Sequence, residues 1–303
     1  MLCLTSPLAL TRIIAGEWHH VACTESPLAM SEIVAVPGRS DAWRVGDTEF
    51  VRSFGVGSTP ERFRIRKNAS LIALYQELCP RIRGSRIVEL GIADGGSTAL
   101  LALAAQPSKL VALELDAEPR SALDSFVDSH QLGDVVRPHY GLDQGDRERL
   151  ARIVDKEFAG EPIDVVIDDA SHQYAPTLAS FEVLFPRLRP GGLIIIEDWG
   201  ADYFYAEAIA RKLADTREPD AADLAERLGG AKYRQDTGRE PKPQPLPRLA
   251  QQLVLACLAS PQSITSVSVD HHWLTARRGS TWLDPASFSV ADLYVDHFGW
   301  LDI

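Results

Sequence analysis

Apolar positions recur with two different periods between residues 60 and 200. From Pro60 to Leu78 they fall three and four residues apart, which predicts an amphipathic helix. Further along, short apolar runs alternate with helix-length segments. The predicted strands are Arg86–Leu90, Leu110–Leu115, Val135–His139, Ile163–Ile167 and Leu193–Ile196, and the predicted helices are Thr98–Ala105, Arg120–Leu132, Asp146–Phe158 and Pro176–Leu188. This alternation predicts right-handed βαβ units and an α/β fold with a doubly wound, mostly parallel, Rossmann-like sheet.

The two ends of the chain lack this alternation. Residues 1–60 show no sustained period and predict an irregular arm, so residues 61–303 would form the main domain. A helical and mobile insertion is expected at about 200–260: its predicted helices are Ala206–Leu213 and Ala221–Leu228, followed by a proline-rich connection at Gly238–Arg248. Ile264–Val269 and Trp273–Arg277 flank a short polar turn and predict an antiparallel hairpin that closes the sheet edge.

Composition and charge narrow the class of protein. The 303 residues carry a formal net charge of −11, which argues against nucleic acid as the main partner. The basic run Arg62, Arg64, Arg66 and Lys67 is a candidate for a local basic patch, but we interpret it as a solvated helix start. The four cysteines are scattered without a C-x-x-C motif, which favours free thiols in the cytoplasm.

No apolar run reaches the length of a membrane span, so we expect none. Met1–Gly16 lacks the basic region of a signal peptide. Met30, followed by Ser-Glu, is an alternative start of the protein. The sequence leaves open whether the chain forms a homo-oligomer.

A glycine-rich segment joins the first predicted strand to the next helix. Its pattern, Glu89-x-Gly91-x-x-x-Gly95-Gly96-Ser97, differs from the G-x-G-x-x-G spacing of dinucleotide-binding loops. Glycines let the backbone approach a ligand, whereas an acid at this strand end would repel a pyrophosphate and accept hydrogen bonds from an ammonium group. The methionine half of S-adenosylmethionine has such a group. We therefore expect Glu89, Gly91, Gly95, Gly96 and Ser97 to bind that cofactor.

Acids and an amide at the following strand ends extend the predicted cofactor site. Glu114 ends the second strand, where a carboxylate can accept both ribose hydroxyls. Asp143 and Gln144 follow the third strand and can meet the adenine or the ribose. Asp143 also suits the N-cap of the next helix, and that alternative stays open. Asp168, at the end of the fourth strand, is also predicted to bind the cofactor.

Four carboxylates are predicted to meet at one edge of the sheet. Asp168 and Asp169 end one buried strand, and Glu197 and Asp198 end the next. Like charges this close cost stability unless a cation neutralises them, and oxygen ligands favour Mg²⁺. His172 lies three residues after Asp169, where it can act as a general base because histidine titrates near neutral pH.

These motifs together resemble a known family. Val88–Gly91, Asp143–Asp146, Ile167–His172 and the stretch from Pro190 to Asp198 are similar to the sugar O-methyltransferases of macrolide biosynthesis, of the mycinamicin and macrocin type, and to cephalosporin hydroxylase-like proteins. The resemblance covers about Arg86 to Trp199. It implies a class I methyltransferase fold, Mg²⁺ bound by Asp169, Glu197 and Asp198, and His172 as the base. Ala170 departs from the glycine usual in the family, which puts the local turn in question.

The resemblance implies methyl transfer to a hydroxyl of a small-molecule acceptor: a sugar-bearing or polyketide-like natural product, or a glycolipid. Trp199, Tyr203 and Tyr205 are candidates for the acceptor wall or for packing. Three alternatives stay open: metal-free methylation of a phenol or amine, an oxygenase, and a non-catalytic S-adenosylmethionine-binding protein. An oxygenase is disfavoured because the acids lack the second histidine of a two-histidine iron site.

Overall fold

The computed structural model describes residues 32–53, 57–201, 244–297 and 299. Its strands are β1 (Val34–Ala35), β2 (Ala42–Val45), β3 (Thr48–Val51), β4 (Arg62–Arg64), β5 (Arg86–Leu90), β6 (Lys109–Leu113), β7 (Val136–His139), β8 (Ile163–Asp168), β9 (Leu188–Glu197), β10 (Ile264–Val269) and β11 (Trp273–Arg278). Its α-helices are α1 (Ala69–Arg81), α2 (Gly96–Ala104), α3 (Ser121–Ser129), α4 (Arg147–Phe158), α5 (Tyr174–Leu184) and α6 (Pro247–Ala259). Single 3₁₀ turns lie at Phe185–Arg187 and Val290–Leu293.

The central sheet has seven strands in the order β10-β11-β9-β8-β5-β6-β7. Strands β7, β6, β5, β8 and β9 are parallel, whereas β11 is antiparallel to both β9 and β10. The predicted α/β class, the mostly parallel sheet and the closing hairpin are therefore confirmed. Because β6 and β8 flank β5 on opposite sides, the direction of winding reverses at β5. Ligands of such sheets bind outside the carboxyl ends of the strands at this reversal.

The sheet is buried on both faces, as its nearly continuous apolar strands predict. Successive residues of β8 point to opposite sides: Val165 and Ile167 pack with helices α1, α2 and α3, and Val166 packs with α4, α5 and α6. The same alternation places Ile195 in the first core and Ile194 in the second. The two apolar layers fix the register of the strands and so the position of their carboxyl ends.

The region before the central sheet differs from the prediction. The described part of the expected irregular arm contains β1, β2 and β3, which join β4 in a second, four-stranded sheet. The helix predicted from Pro60 begins only at Ala69, after Asn68, whose side chain accepts a hydrogen bond from the Leu71 amide (2.9 Å). Phe63 is fully buried, with its ring centroid 5.4 Å from that of Phe126. Packing of this extended segment overrides the weak helical period.

Other differences concern element ends. Strand β9 begins at Leu188 and includes Pro190, Gly191 and Gly192, which the sequence predicts as a turn. Helix α5 ends at Leu184, since Pro186 lacks the amide hydrogen that would continue the helix. The predicted helices Ala206–Leu213 and Ala221–Leu228 lie outside the described residues, as does the connection from Gly238 to residue 243.

Helix α6 lies within the region predicted as an insertion. In the described ranges, none of the helices combines the length and apolar character needed to cross a membrane. The division of the chain into an arm, a main domain and an insertion stays a prediction.

Candidate active site

A cavity of about 680 Å³ opens at the carboxyl ends of β5, β6, β8 and β9. This volume lies in the range of small-molecule sites. Of the residues predicted to bind a cofactor, Gly91, Gly96, Ser97, Glu114, Asp143 and Gln144 line the cavity, together with the predicted catalytic and metal residues Asp169, His172, Glu197 and Asp198. Glu89, Gly95 and Asp168 lie behind this lining. The fold thus brings most of the predicted site residues to one cavity.

The glycine-rich loop requires glycine for two reasons. Gly91 has a φ of +94°, and a Cβ there would lie 2.3 Å from the backbone oxygen of Asp169. Gly95 has a φ of +85° and stands at the N-cap of α2. A Cβ on Gly96 would lie 2.2 Å from the backbone oxygen of Arg64. The loop is therefore packed between the ends of β4 and β8.

Glu114 supports this loop from the end of β6. Its Oε2 atom accepts hydrogen bonds from the backbone amides of Ile92 (3.1 Å) and Ala93 (2.7 Å). Ala93 has a φ of +48°, a left-handed conformation that is uncommon for a residue other than glycine. The carboxylate is thus fixed at the cavity wall, where the sequence predicts contact with the ribose. That contact stays a prediction.

Glu89 is buried beneath the loop rather than exposed in the cavity. Its Oε2 atom accepts a hydrogen bond from the Thr98 hydroxyl (2.6 Å), and only 1% of its surface is exposed. Burial raises the pKa of Glu89 to about 7, although Ser97 and Thr98 oppose the shift. Its predicted contact with the ammonium group of the cofactor also stays a prediction.

Gln144 connects the loop that follows β7 to the end of β8 by two hydrogen bonds. Its amide nitrogen donates to Asp168 Oδ2 (2.8 Å), and its oxygen accepts from the backbone amide of Ser171 (2.8 Å). Burial raises the pKa of Asp168 to about 6.

Asp143 accepts a hydrogen bond from the Gly145 amide (2.8 Å), whereas the N-cap of α4 is Asp146. The N-cap alternative for Asp143 is therefore wrong, and its side chain is left at the cavity wall.

Asp169, His172 and Asp198 converge at the opposite side of the cavity. One ligand atom from each of the three lies within 4.8 Å of the others. His172 Nε2 is 3.9 Å from Asp169 Oδ1, which is too long for a hydrogen bond. His172 and Asp198 both have left-handed backbones, with φ of +52° and +50°. Strained backbone of this kind clusters at functional sites.

The inner part of the cluster contains a buried lysine. Lys67 Nζ donates to Glu197 Oε2 (2.7 Å) and to Asp169 Oδ2 (2.9 Å). The Tyr75 hydroxyl donates to Glu197 Oε1, and Lys67 Nζ lies 4.9 Å from the centre of the Tyr75 ring. Burial alone would lower the pKa of Lys67, but the two carboxylates outweigh it and raise this pKa above its ordinary value. The ammonium group is therefore charged at neutral pH.

Sequence reasoning missed Lys67, because its basic neighbours suggested a solvated helix start. That interpretation is wrong: Lys67 is only 3% exposed. A signal was present, since Phe63, Ile65 and Lys67 alternate with arginines at a period of two. In an extended segment, such alternation places all three side chains on the same face. The first two are buried, and the third continues their face into the carboxylate cluster.

The turn between β10 and β11 lies against this cluster. The Asp198 amide donates to the His272 backbone oxygen (3.0 Å), and the Trp199 indole donates to the Asp270 backbone oxygen (2.9 Å). His272 Nε2 lies 2.8 Å from the Ser70 hydroxyl. The turn thus fixes the loop that follows β9. Tyr203 and Tyr205, the other candidates for an acceptor wall, lie outside the described residues.

The donor set is suited to a hard divalent cation. Mg²⁺ in proteins is usually held by one or two carboxylates together with water and substrate oxygens. Asp169 Oδ1 and the Asp198 carboxylate face the cavity and satisfy this requirement. In the described part of the chain, Asp169, His172 and Asp198 are the group whose geometry could hold an ion. Both oxygens of Glu197 are occupied by Lys67 and Tyr75, so its predicted role as a third ligand stays a prediction.

Comparison with known proteins finds similarities to methyltransferases. Residues 88–199 match the family model described as a methyltransferase domain. Mycinamicin VI 2''-O-methyltransferase of Micromonospora griseorubida is 48% identical over 62 residues, which are 20% of this chain and 15% of that protein. The 8-demethyl-8-alpha-L-rhamnosyl tetracenomycin-C 2'-O-methyltransferase of Streptomyces olivaceus is 47% identical over 64 residues, which are 21% of this chain and 16% of that protein.

The similar region thus spans less than a fifth of either relative. Among solved structures, the MycE methyltransferase in complex with Mg, SAH and mycinamycin VI aligns at 24% identity with a TM-score of 0.46, over 69% of this chain and 49% of that one. The family match covers the glycine-rich loop from Val88 onward and ends at Trp199, just past the carboxylate cluster. Similarity to the methyltransferase domain family is therefore found in residues 88–199.

Proposed function

We propose that the chain is an S-adenosylmethionine-dependent, Mg²⁺-assisted O-methyltransferase. The observation that carries this proposal is the convergence of Asp169, His172 and Asp198 on the cavity that the glycine-rich loop also lines. A cofactor side and a cluster of acid and base groups therefore share one cavity at the winding reversal of a methyltransferase domain. The family match supports the reaction type, and the cluster supports its dependence on a metal.

The cofactor side would hold S-adenosylmethionine by shape and by hydrogen-bond acceptors. Gly91 and Gly96 let the loop pack closely against Asp169 and Arg64 at the edge of the cavity, and Glu114 would present a fixed carboxylate to the ribose hydroxyls. Asp143 and Gln144 line the wall beyond it. When bound, S-adenosylmethionine supplies the methyl group, and Mg²⁺ lowers the pKa of an acceptor hydroxyl.

His172 would remove the acceptor proton. Among the described residues, none occupies its Nε2 atom with a hydrogen bond: the Asp169 carboxylate lies 3.9 Å away, and His172 lines the cavity. The acceptor oxygen would take the methyl group from the bound cofactor, which would leave as the neutral thioether, and the imidazole of His172 would take the hydroxyl proton. Asp169 and Asp198 would hold the metal, and alignment of acceptor and donor supplies most of the rate.

The acceptor is proposed from the relatives. The two curated relatives are named for 2''-O-methylation of mycinamicin VI and for 2'-O-methylation of 8-demethyl-8-alpha-L-rhamnosyl tetracenomycin-C. A hydroxyl of a sugar-bearing or polyketide-like natural product, or of a glycolipid, is the acceptor class that we propose for this chain. The fold by itself does not select an acceptor.

Two measurements test this function. Calorimetric titration with S-adenosylhomocysteine measures cofactor binding, and transfer of a labelled methyl group is then assayed with glycosylated polyketide, catechol and amine acceptors. We expect transfer to sugar hydroxyls that EDTA abolishes and added Mg²⁺ restores. Transfer only to catechol or amine, indifferent to EDTA, would favour the metal-free alternative. Binding of S-adenosylhomocysteine without transfer to any of these acceptors would favour a binding protein.

A further inference from the structure

The buried ammonium group of Lys67 divides the carboxylate cluster into two halves. The inner half consists of Lys67, Glu197 and Tyr75, and the outer half consists of Asp169 Oδ1, His172 and Asp198. We propose that Lys67 is a positioning residue: it acts as a resident cation that retains Glu197 in the inner half, so that a divalent cation binds only in the outer half and binds weakly. This inference rests on the metal site of the proposed function.

The hydrogen bonds of the inner half leave Glu197 little freedom to reach an ion. Its Oε2 atom accepts from Lys67 at 2.7 Å and its Oε1 atom accepts from the Tyr75 hydroxyl. The residue is 1% exposed, whereas Asp198 is exposed at the cavity. Removing one partner of a buried charge pair is costly, so the pair resists separation by an incoming ion.

Asp169 belongs to both halves. Its Oδ2 atom accepts from Lys67 at 2.9 Å, and its Oδ1 atom is the one that faces His172. Lys67 thereby orients Asp169 as well as Glu197. Asp169 also lines the cavity, so the lysine contacts a carboxylate of the candidate metal site.

Charge balance explains why the lysine would weaken metal binding. When fully ionised, Asp169, Glu197 and Asp198 carry three negative charges, of which Lys67 neutralises one. The remaining charge equals that of one divalent cation. The positive Nζ atom also repels a cation placed in the outer half, because both would contact the Asp169 carboxylate. With Lys67 present, the three carboxylates can lie close together in the folded protein without a bound metal ion.

Calorimetric titration of Mg²⁺ into the metal-free full chain tests the proposal. We expect Lys67→Met to bind Mg²⁺ at least about tenfold more tightly than the wild type, because it removes the competing charge. Its melting temperature in EDTA should fall and should recover with Mg²⁺ far more than that of the wild type. A lysine with a purely structural role would lower the melting temperature equally with and without the ion.

Arg66→Met is the matched control. It removes one positive charge from the adjacent position, but the Arg66 side chain is 62% exposed and pairs with Asp94. We expect its Mg²⁺ affinity to stay within about twofold of the wild type, because solvent screens an exposed charge. An equal increase in Arg66→Met and Lys67→Met would show a general effect of net charge and would overturn the proposal.

A second pair of variants keeps the test decisive if Lys67→Met does not fold. Glu197→Gln removes the buried charge that Lys67 neutralises, and the double variant Lys67→Met/Glu197→Gln then has no uncompensated charge in the inner half. We expect Glu197→Gln to bind Mg²⁺ within about threefold of the wild type and the double variant to bind about tenfold more tightly. Loss of Mg²⁺ binding in Glu197→Gln would identify Glu197 as a ligand and overturn the proposal.

The outcomes separate this inference from the proposed function. Equal Mg²⁺ affinity in the wild type and Lys67→Met refutes the role of Lys67 and leaves the metal-assisted reaction standing. Mg²⁺ binding by Lys67→Met alone, with none by the wild type at millimolar concentration, supports Lys67 as the resident cation and refutes the metal of the proposed function. Absence of binding in both refutes both.

Discussion

The glycine-rich loop and the carboxylate cluster lie at neighbouring strand ends but are held by different forces. The loop is formed by one continuous stretch, Glu89 to Ser97, and its shape depends on backbone conformation and on the close approach of Asp169 and Arg64 to two glycines. The cluster is assembled from Lys67, the end of β8 and the end of β9. Its arrangement depends on balanced charge.

This difference predicts different sensitivities. A region held by close backbone packing should respond mainly to added volume, because a protein interior cannot accommodate an extra carbon without displacement. A region held by charge pairs should respond mainly to a change of charge at constant volume. The two regions also serve separate steps, since one would bind the cofactor and the other would act on the acceptor.

The largest expected effects are a loss of turnover when the cluster is changed and a loss of cofactor affinity when the loop is changed. Asp169→Asn keeps the volume of the side chain and removes its charge, so we expect turnover to fall about 10³-fold, or about 4 kcal/mol, with little change in S-adenosylhomocysteine affinity. Glu114→Ala removes the acceptor that holds Ile92 and Ala93, so we expect S-adenosylhomocysteine affinity to fall about 10- to 100-fold.

Calorimetry with S-adenosylhomocysteine and single-turnover methyl transfer measure the two effects separately. Single-turnover rates at saturating S-adenosylmethionine should leave Glu114→Ala within about tenfold of the wild type. If Asp169→Asn weakened cofactor binding as much as Glu114→Ala does, the two regions would act as one site and the comparison would fail.

A smaller effect, on stability, is expected for Gly91→Ala. The added Cβ would lie 2.3 Å from the Asp169 backbone oxygen at a φ of +94°, and we expect the free energy of unfolding to fall by more than about 3 kcal/mol. Gly160→Ala is the matched control, since it has a φ of +84° and nothing within 4 Å of the added Cβ. Its left-handed backbone alone should cost about 1–2 kcal/mol.

Urea unfolding of the two alanine variants gives the difference directly. The excess cost at Gly91 measures how closely the ends of β5 and β8 approach each other. Equal losses at Gly91 and Gly160 would mean that β8 moves away without penalty, and the loop would then not be held by close packing.

The same contrast explains what the sequence predicts about this molecule. Strands β5 to β9 follow from local periods, and the glycine-rich loop follows from residues adjacent in the chain. The position of Glu114 and Asp198 at the cavity also follows from the sequence, because each ends a predicted strand and the carboxyl ends of parallel strands share one edge. All of these features depend on short stretches of sequence or on a single topological rule.

Lys67 depends on neither. Its partners Asp169 and Glu197 lie 102 and 130 residues away in the chain, so the pairing appears only when the segment after β4 packs on the central sheet. The orientation of the Glu89 side chain also depends on tertiary packing. The strand places this residue at the loop, but its burial beside Thr98 depends on which face of β5 packs against α2. Alternation with Phe63 and Ile65 was the available sign that Lys67 is buried.

The smallest expected effect concerns the pH dependence of stability. Burial raises the pKa of Glu89 from its ordinary 4.5 to about 7, so between these values the folded protein binds more protons than the unfolded chain. Stability therefore falls as the pH rises through this window. Between pH 5 and 7 the contribution of Glu89 should be about 2 kcal/mol, since one pKa unit corresponds to about 1.4 kcal/mol. Glu89→Gln should remove this part of the slope.

Asp168→Asn sharpens the test because its window differs. The pKa of Asp168 rises from 3.8 only to about 6, so its contribution should change mainly below pH 6. Urea unfolding at pH 5, 6, 7 and 8 compares each variant with the wild type. We expect Glu89→Gln to flatten the slope from pH 5 to 7, and Asp168→Asn to flatten it mainly from pH 5 to 6. An unchanged slope between pH 6 and 7 in Glu89→Gln would mean that Glu89 is already ionised there, so that the acid beneath the loop, like those of the cluster, is held by charge.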